Sequence, residues 1–123
     1  MKKIIIAGLL LALFATSPYP AVAHAQMELS TPSRNQVVKI PPRLVWIEFD
    51  GNLIDLGIAS INRITVTNSK KLRVDIGGTI VGGARITTKI KSGIEPGKYL
   101  VAYRVVSEDG HPVEGSYSFT YKP

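Results

Sequence analysis

Apolar and polar residues alternate along this chain in a way that predicts short β-strands. In the segment RLVWIEFD, Val45, Ile47 and Phe49 fall on one face, and Trp46 falls on the polar face opposite them. Alternation with a period of two is typical of a strand that buries one face. The Asp-Gly pair at residues 50–51 then predicts a turn.

Two segments near the C-terminus alternate in the same manner. The apolar positions are Tyr99, Val101, Tyr103 and Val105 in the first segment, and Tyr117, Phe119 and Tyr121 in the second. They predict strands over residues 99–107 and 116–121, joined by the loop EDGHPVEG. A further strand is predicted through Ile64 and Val66 in ASINRITVTNS.

Residues 71–99 contain three short β-rich pieces separated by the glycine pairs 77–78 and 82–83. Glycine pairs inside such a pattern indicate either β-bulges or the tips of loops. No segment after residue 25 holds a sustained helical period. Short strands at close spacing, with Gly and Pro turns between them, predict an all-β sandwich or barrel.

The N-terminal region has the organisation of an export signal. Lys2 and Lys3 precede the apolar run Ile4 to Ala15, whose 12 residues fall short of the roughly 20 needed to cross a bilayer. We therefore expect a cleaved Sec-type signal peptide, residues 1–23 if the earlier of two possible cuts is used, followed by one exported domain, residues 24–123. The small-x-small rule permits cleavage before His24 or before Gln26, and the rule alone does not choose between them.

The composition narrows the class of partner and of chemistry. Without Lys2 and Lys3, 13 basic residues face 9 acidic ones, a formal charge of +4. The basic residues are scattered along the sequence, which together with export does not favour nucleic acid. We expect no membrane span after signal cleavage. The chain has no cysteine, so thiolate ligands and thiol catalysis are excluded.

The two histidines of the chain, His24 and His111, are candidates for a metal site together with Asp109. In an extended segment, Asp109 and His111 would point to the same side because they are two residues apart. If cleavage makes His24 the first residue, its α-amine and imidazole form a chelate. Three nitrogens and one oxygen suit the tetragonal preference of Cu(II), and zinc would accept similar ligands. Cu(I) prefers sulfur, and the only methionine after the signal is Met27.

These segments resemble the CopC-type copper-binding, copper-resistance proteins of the bacterial periplasm. The stretch HAQMELSTP is similar to the mature start of that family, and PPRLVWIEFD is similar to its early strand. The closing pair shares the pattern Gly-x-Tyr, Val-Ser-x-Asp-x-His-Pro and Gly-x-x-x-Phe. Its residues here are Gly97, Tyr99, Val106, Ser107, Asp109, His111, Pro112, Gly115 and Phe119. In layout the resemblance covers residues 27–122, and it is specific mainly at the two ends.

The resemblance implies an immunoglobulin-like Greek-key β-sandwich with one Cu(II) bound by His24, Asp109 and His111. It also favours cleavage before His24. The implied role is copper homeostasis or resistance, by sequestering copper or delivering it, without enzymatic activity. The expected partners are the copper ion and either an inner-membrane copper transporter or another periplasmic copper protein. Some members carry a methionine-rich Cu(I) site in a loop, and this chain has no methionine there.

Two other classes of function are compatible with the same residues. A metal-free interaction module would treat His111 as an ordinary loop residue, and a mature chain starting at Gln26 would favour it. A histidine-brace oxidative copper enzyme would use His24 and His111, but the short chain offers no extended aromatic surface for a polymer. A Ser-His-Asp hydrolase using Ser107 is less favoured, because no oxyanion loop or nucleophile turn is visible.

Overall fold

The computed structural model describes residues 25–58 and 61–123, which form eight β-strands in two sheets. The strands are β1 (Met27–Thr31), β2 (Val37–Val38), β3 (Leu44–Phe49), β4 (Arg63–Thr67), β5 (Asp75–Gly82), β6 (Arg85–Ile90), β7 (Gly97–Val106) and β8 (Pro112–Tyr121). One sheet has the order β1-β3-β6-β5 and the other β2-β8-β7-β4. All pairs are antiparallel except β2 with β8, which is parallel. The predicted all-β, immunoglobulin-like Greek-key sandwich is confirmed.

The core lies between the inner faces of the two sheets, where the alternating apolar residues meet. Val45, Ile47 and Phe49 of β3 are buried as the alternation predicts. From the facing sheet, Tyr99 of β7 stacks on Phe119 of β8 with ring centroids 5.4 Å apart. Burying a large apolar side chain stabilises a fold by roughly 1.5–3 kcal/mol. In the absence of disulfides, this packing supplies the main stabilisation of the domain.

The structure corrects the predicted division of residues 71–99 at the first glycine pair. β5 runs continuously through Gly77 and Gly78, where the register with β6 shifts between Ile76 and Thr79. Both glycines have positive φ, 78° and 75°, which disfavours residues with a Cβ. The pair is therefore a bulge inside one strand. The second pair lies at the turn into β6, so the three β-rich pieces form two strands, β5 and β6, before β7 begins at Gly97.

The closing hairpin is longer than the sequence indicated. β8 begins at Pro112 and not at residue 116, and the pairing continues to Val106 opposite Pro112. Pro112 can start the strand because a first residue need not donate a ladder hydrogen bond. Gly115 pairs with Tyr103, and the Tyr103 ring packs directly over it. The loop therefore shrinks to the few residues between Val106 and Pro112.

Trp46 lies half-buried on the outer face of β3, in agreement with its position on the polar side of the alternation. The guanidinium carbon of Arg85 lies 3.9 Å from the centroid of its ring. Arg85 also donates to Glu48 Oε2 at 2.8 Å, so the three side chains form one outer cluster. A cation over an aromatic face is attracted by the ring quadrupole.

The predicted signal peptide, residues 1–23, and His24 lie outside the described residues. Within residues 25–58 and 61–123, no helix has the length and apolar character needed to cross a membrane.

Candidate metal site

The candidate site is built on the tight turn between β7 and β8. The Gly110 amide donates to the Ser107 carbonyl at 2.8 Å, and the Ser107 amide donates to the His111 carbonyl at 3.2 Å. Gly110 has a φ of 83°, a left-handed conformation that glycine adopts without a Cβ penalty. These contacts reverse the chain over five residues, so that Asp109 and His111 lie at the tip of the turn.

Asp109 is the hub of the hydrogen bonds within this turn. Its Oδ1 accepts from the Ser107 hydroxyl and from the His111 amide, the latter at 3.0 Å. Its Oδ2 lies 3.1 Å from Nδ1 of His111. The hydrogen bond from Ser107, followed by those from the His111 amide and imidazole, holds the pKa of the Asp109 carboxyl well below its usual range. The carboxylate is therefore ionised throughout the neutral and mildly acidic range.

The structure brings Asp109 and His111 together, but not by the extended geometry that the sequence suggested. Residues 107–110 form a turn, and the imidazole meets the carboxylate because the chain folds back around Gly110. The expectation that the two side chains face the same place is confirmed. The reason given for it, alternation along an extended segment, is wrong.

The contact with Asp109 determines which imidazole nitrogen can bind a metal. A carboxylate only accepts hydrogen bonds, so the nearby Nδ1 of His111 carries the proton of the neutral ring. The lone pair then resides on Nε2, on the other side of the ring. A carboxylate that orients a histidine in this way is a common companion of protein metal sites. The His111 side chain is 61% exposed and that of Asp109 is 30% exposed, so the ring is accessible to an ion.

The first described residues of the chain lie against this turn. Ala25 is buried, with 2% of its surface exposed. It lines a cleft of about 410 Å³ together with Asp50, Gly51, Asn52, Ser107, Glu108 and Asp109. Gln26 and Asp50 hold the start of the chain in place. The Gln26 amide donates to Asp50 Oδ1 at 2.7 Å, and the Asp50 amide donates to the Gln26 carbonyl at 2.8 Å.

The turn is fixed to the same part of the β3–β4 connection. The Glu108 amide donates to the Asn52 carbonyl at 3.2 Å, and Ser107 forms an isolated bridge with Leu53. The segment from Asp50 to Leu53 therefore contacts both the start of the chain and the turn that carries Asp109 and His111. The sequence did not predict that residues 50–53 connect these two segments, because their pattern indicates only a turn.

Of the three predicted ligands, Asp109 and His111 lie together, and His24 lies outside the described residues. Among residues 25–58 and 61–123, no group of three or more His, Asp or Glu side chains could hold a metal ion. The described donors are one imidazole and one carboxylate, which suit a divalent cation but are fewer than a complete site needs.

Ser107 does not have the geometry of the hydrolase nucleophile that the sequence analysis weighed. As a hydrolase nucleophile it would have to donate to an imidazole nitrogen. Its hydroxyl instead donates to the Asp109 carboxylate, and the side chain is buried under the turn. Ser107 therefore orients Asp109. Glu114, in the same hairpin, has its negative charge offset by Arg104 across the hairpin, with Oε1 and Nε 3.5 Å apart.

Comparison with known proteins agrees with this arrangement of strands and loop. A profile of the CopC domain matches residues 27–122, nearly the whole of the described chain. The chain belongs to the CopC domain family. The resemblance seen in the two ends of the sequence is thereby confirmed, and it extends through the middle strands, where the sequence pattern was least specific.

Two relatives of this CopC domain have names that refer to copper. The chain is 31% identical over 115 residues to "Copper transport protein CutJ" of Bacillus subtilis, covering 91% of the chain but only 20% of CutJ. It is 27% identical over 128 residues to "Copper resistance protein C" of Escherichia coli, covering 98% of the chain and 96% of that protein. The chain thus spans about a fifth of CutJ and nearly all of the second relative.

The solved structure of CopC from Methylosinus trichosporium OB3b has a similar fold, with a TM-score of 0.71 and 29% sequence identity. The match covers 81% of this chain and 95% of that one. The sandwich described above is therefore the fold of this family.

Proposed function

We propose that this CopC domain is an exported, periplasmic Cu(II)-binding protein that sequesters copper or delivers it to a partner protein. Membership of a family whose relatives are named for copper resistance and copper transport supports a copper-related function. The observation that carries the specific proposal is the meeting of Ala25, the first described residue, with the turn that holds Asp109 and His111. The copper ion is the cargo of this site.

His24 is the third residue of the proposed site. It is bonded to Ala25, and consecutive Cα atoms are about 3.8 Å apart. Ala25 shares its cleft with Asp109, and this supports the choice of the residue that precedes it in the sequence as the third ligand. Cleavage before His24 would give this residue a free α-amine beside its imidazole. The amine and two imidazoles would then supply the nitrogen donors that Cu(II) favours.

Asp109 is proposed to supply the oxygen donor of the site, and its contacts give it two further roles. Its contact with Nδ1 of His111 orients the ring so that Nε2 is the nitrogen assigned to copper. Its negative charge also offsets part of the charge of the cation. Because the carboxylate remains ionised well below neutral pH, both effects persist wherever the nitrogens are deprotonated.

The test is an intact mass of the exported protein, measured under native conditions with and without one equivalent of Cu(II). We expect a chain that starts at His24 and retains one copper ion. A His111→Ala variant should lose at least about 100-fold in affinity, because it removes an imidazole ligand. Glu114→Ala is the matched control, since Glu114 lies in the same hairpin, is exposed and pairs with Arg104.

A chain that starts at Gln26, or a His111→Ala variant that binds copper as well as the parent, would overturn the proposal. The first result would remove the amine and one imidazole together, and the metal-free interaction module would become the better explanation. Reductant- or peroxide-driven turnover by the copper form would instead indicate the oxidative enzyme.

A further inference from the structure

Lysine residues are concentrated at one end of the sandwich. This basic end is where β6 and β8 finish and where β3 and β7 begin, opposite the turn that carries His111. Every lysine of the described chain lies there, and Arg43 accompanies them. The residues are Lys39, Arg43, Lys70, Lys71, Lys89, Lys91, Lys98 and Lys122, all exposed.

Acidic residues have the opposite distribution. Most of them lie at or near the His111 end, and Glu95 and Asp75 are the ones at the basic end. The acidic residues nearest the His111 turn are Asp50, Asp55, Glu108, Asp109 and Glu114. Asp75 forms an ion pair with Arg73, with Nη2 and Oδ2 2.6 Å apart, so Glu95 is the main source of negative charge among the lysines. In the described part of the chain, the ion pairs involve arginines and His111, and the lysines of the basic end take part in none of them.

The sequence did not reveal this separation, because the lysines are scattered along the chain. The fold collects them, since antiparallel strands bring distant turns to the same end of a sheet. Lys39 and Lys122 become neighbours because the Lys122 amide donates to the Val38 carbonyl at 2.9 Å. Lys91 likewise lies next to the start of β5, because its backbone amide donates a hydrogen bond to the Val74 carbonyl at 2.9 Å.

Two adjoining clefts lie on the basic end of the sandwich. One, of about 270 Å³, is lined by lysines 70, 91 and 98 and by the apolar Leu72. The other, of about 690 Å³, is lined by Arg43, Lys89 and Lys91 together with Leu44 and Ile76. They adjoin at Lys91 and Gly93, which line both. Cationic groups and aliphatic side chains therefore line both clefts.

Several of these aliphatic side chains are strongly exposed. Ile40, between Lys39 and the Pro41-Pro42 pair, is 79% exposed, and Leu72, next to Lys71, is 60% exposed. Ile76 and Leu44 are also exposed, on the neighbouring strands β5 and β3. Aliphatic residues flanked by lysines can enter the interface of a bilayer while the ammonium groups remain at the level of the headgroups.

We propose that the basic end of this domain docks on the surface of an anionic lipid bilayer. The lysine ammonium is a compact charge on a flexible side chain, whereas the arginine guanidinium is a planar group that pairs with a carboxylate in a fixed geometry. Lysine therefore suits a diffuse layer of negative headgroups. Each lysine near an anionic membrane surface contributes to attraction, and the contributions accumulate. The exposed aliphatic residues add apolar burial that a purely electrostatic encounter would lack.

Docking in this way would direct the His111 turn away from the membrane. β7 runs from Gly97, beside Lys98, to Val106, beside Ser107. At about 3.3 Å per residue, this strand separates the two ends by roughly 30 Å, about three Debye lengths at 0.1 M salt. The acidic end would then face the aqueous compartment, where negative charge raises the local concentration of cations.

The test is co-sedimentation of the exported protein with two kinds of vesicle, one of phosphatidylcholine alone and one containing about 40% phosphatidylglycerol. We expect binding to the anionic vesicles and little binding to the neutral ones. A Lys70→Glu/Lys91→Glu variant should bind the anionic vesicles at least about 30-fold more weakly, since the loss of each lysine costs on the order of a fivefold factor and the reversed charges add repulsion. Raising the salt from about 0.05 to 0.3 M should also weaken binding.

The matched control is Arg34→Glu/Arg63→Glu, which makes the same change in net charge at exposed positions outside the basic end. It should weaken binding by less than about threefold. Ile40→Ser should weaken binding to the anionic vesicles, because it removes an exposed apolar side chain from the basic end. Leu56→Ser, in the connection between β3 and β4, is its control and should leave binding unchanged. Equal binding to both kinds of vesicle, or equal loss in the two charge-reversal variants, would overturn the proposal. Circular dichroism checks that each variant is folded. Binding to the vesicles does not depend on copper.

Discussion

The imidazole Nδ1 of His111 lies 3.1 Å from Oδ2 of Asp109, and the other carboxylate oxygen accepts a hydrogen bond from the buried Ser107 hydroxyl. The three side chains form a short series in which Ser107 orients Asp109 and Asp109 orients His111. All three belong to a turn whose backbone is held by two hydrogen bonds. The Gly110 amide donates to the Ser107 carbonyl, and the Ser107 amide donates to the His111 carbonyl. The orientation of the His111 ring is therefore determined by Asp109, itself a predicted ligand, and through Asp109 by Ser107, which is not one.

Replacing Ser107 with alanine should weaken Cu(II) binding without removing a ligand. The change deletes the hydroxyl that holds Oδ1 of Asp109, so the carboxylate and the ring it orients gain freedom. Loss of a residue that supports a metal ligand usually costs 10- to 100-fold in affinity, and we expect roughly tenfold here. Competition with a chelator of known affinity measures the effect. Ser116→Ala, at an exposed position of β8, is the control. Equal affinities for both variants would show that Ser107 does not orient the site.

Copper binding should weaken steeply as the pH falls below neutrality. Protons compete with copper for imidazole nitrogens, with a reference pKa of about 6.5, and for a terminal amine, with one of about 8. Asp109 does not contribute to this loss, because hydrogen bonds from Ser107 and His111 hold its pKa well below its usual range. We expect at least a 100-fold fall in affinity between about pH 7.5 and 5.5, measured by chelator competition. Asp109→Asn should lower the affinity and keep the same slope. A much shallower slope in that variant would mean that the carboxylate takes up the proton.

Gly115→Ala should destabilise the closing hairpin. The Tyr103 ring lies over Gly115 so closely that an added Cβ would overlap with the ring and its hydroxyl. Tyr103 cannot move easily, since its ring also packs edge-on against Phe49 with centroids 5.4 Å apart. Overpacking of this kind typically costs about 1–3 kcal/mol in the free energy of unfolding.

Urea denaturation of Gly115→Ala measures this cost, and Gly82→Ala is the control because a Cβ there meets nothing within 4 Å. Combining Gly115→Ala with Tyr103→Ala should make the glycine replacement nearly neutral, since the overlapping ring is gone. If the cost of Gly115→Ala is the same with and without the Tyr103 ring, the overlap is not its cause.

The domain should lose stability in acid through the buried carboxylate of Asp75. Burial by itself raises the pKa of Asp75, but the Arg73 guanidinium and the Val66 amide, which donates at 2.8 Å, more than offset this and lower the pKa below its usual value. A group whose pKa is lower in the folded state stabilises the fold above its unfolded pKa, about 3.9, and loses that contribution as the pH falls through its folded pKa. We therefore expect the free energy of unfolding to decrease below about pH 4.

Asp75→Asn should lower the free energy of unfolding at pH 7 by about 2 kcal/mol, because it weakens hydrogen bonds between a charged acceptor and its donors. It should also flatten the decrease in acid, as followed by urea denaturation at several pH values. Asp55→Asn is the control, since Asp55 is exposed and its carboxylate accepts from the neighbouring Gly57 amide. An Asp75→Asn variant with the full acid dependence of the parent would assign that dependence to other carboxylates.

Much of the secondary structure could be predicted from the sequence, because a period of two follows directly from the geometry of a strand. Val45, Ile47 and Phe49 are buried in the order that their spacing predicts. The predicted start of β8, at residue 116, was wrong, because Gly and Pro near residue 112 are typical of a loop when only neighbouring residues are considered. Cross-strand pairing with β7 overrides that local signal, and it places Gly115 under the Tyr103 ring.

The sequence by itself determined which residue types could bind copper: two histidines, one nearby aspartate and no cysteine. It also identified the family, since the turn motif between β7 and β8 lies in one continuous segment. Only the tertiary structure decided that the turn meets Ala25, that Ser107 supports Asp109, and that scattered lysines share one end of the sandwich. These relationships join residues far apart in the chain, or depend on how a turn closes. Periodicity and spacing report only on neighbours along the chain, whereas the pairing of strands determines which distant residues become neighbours in space.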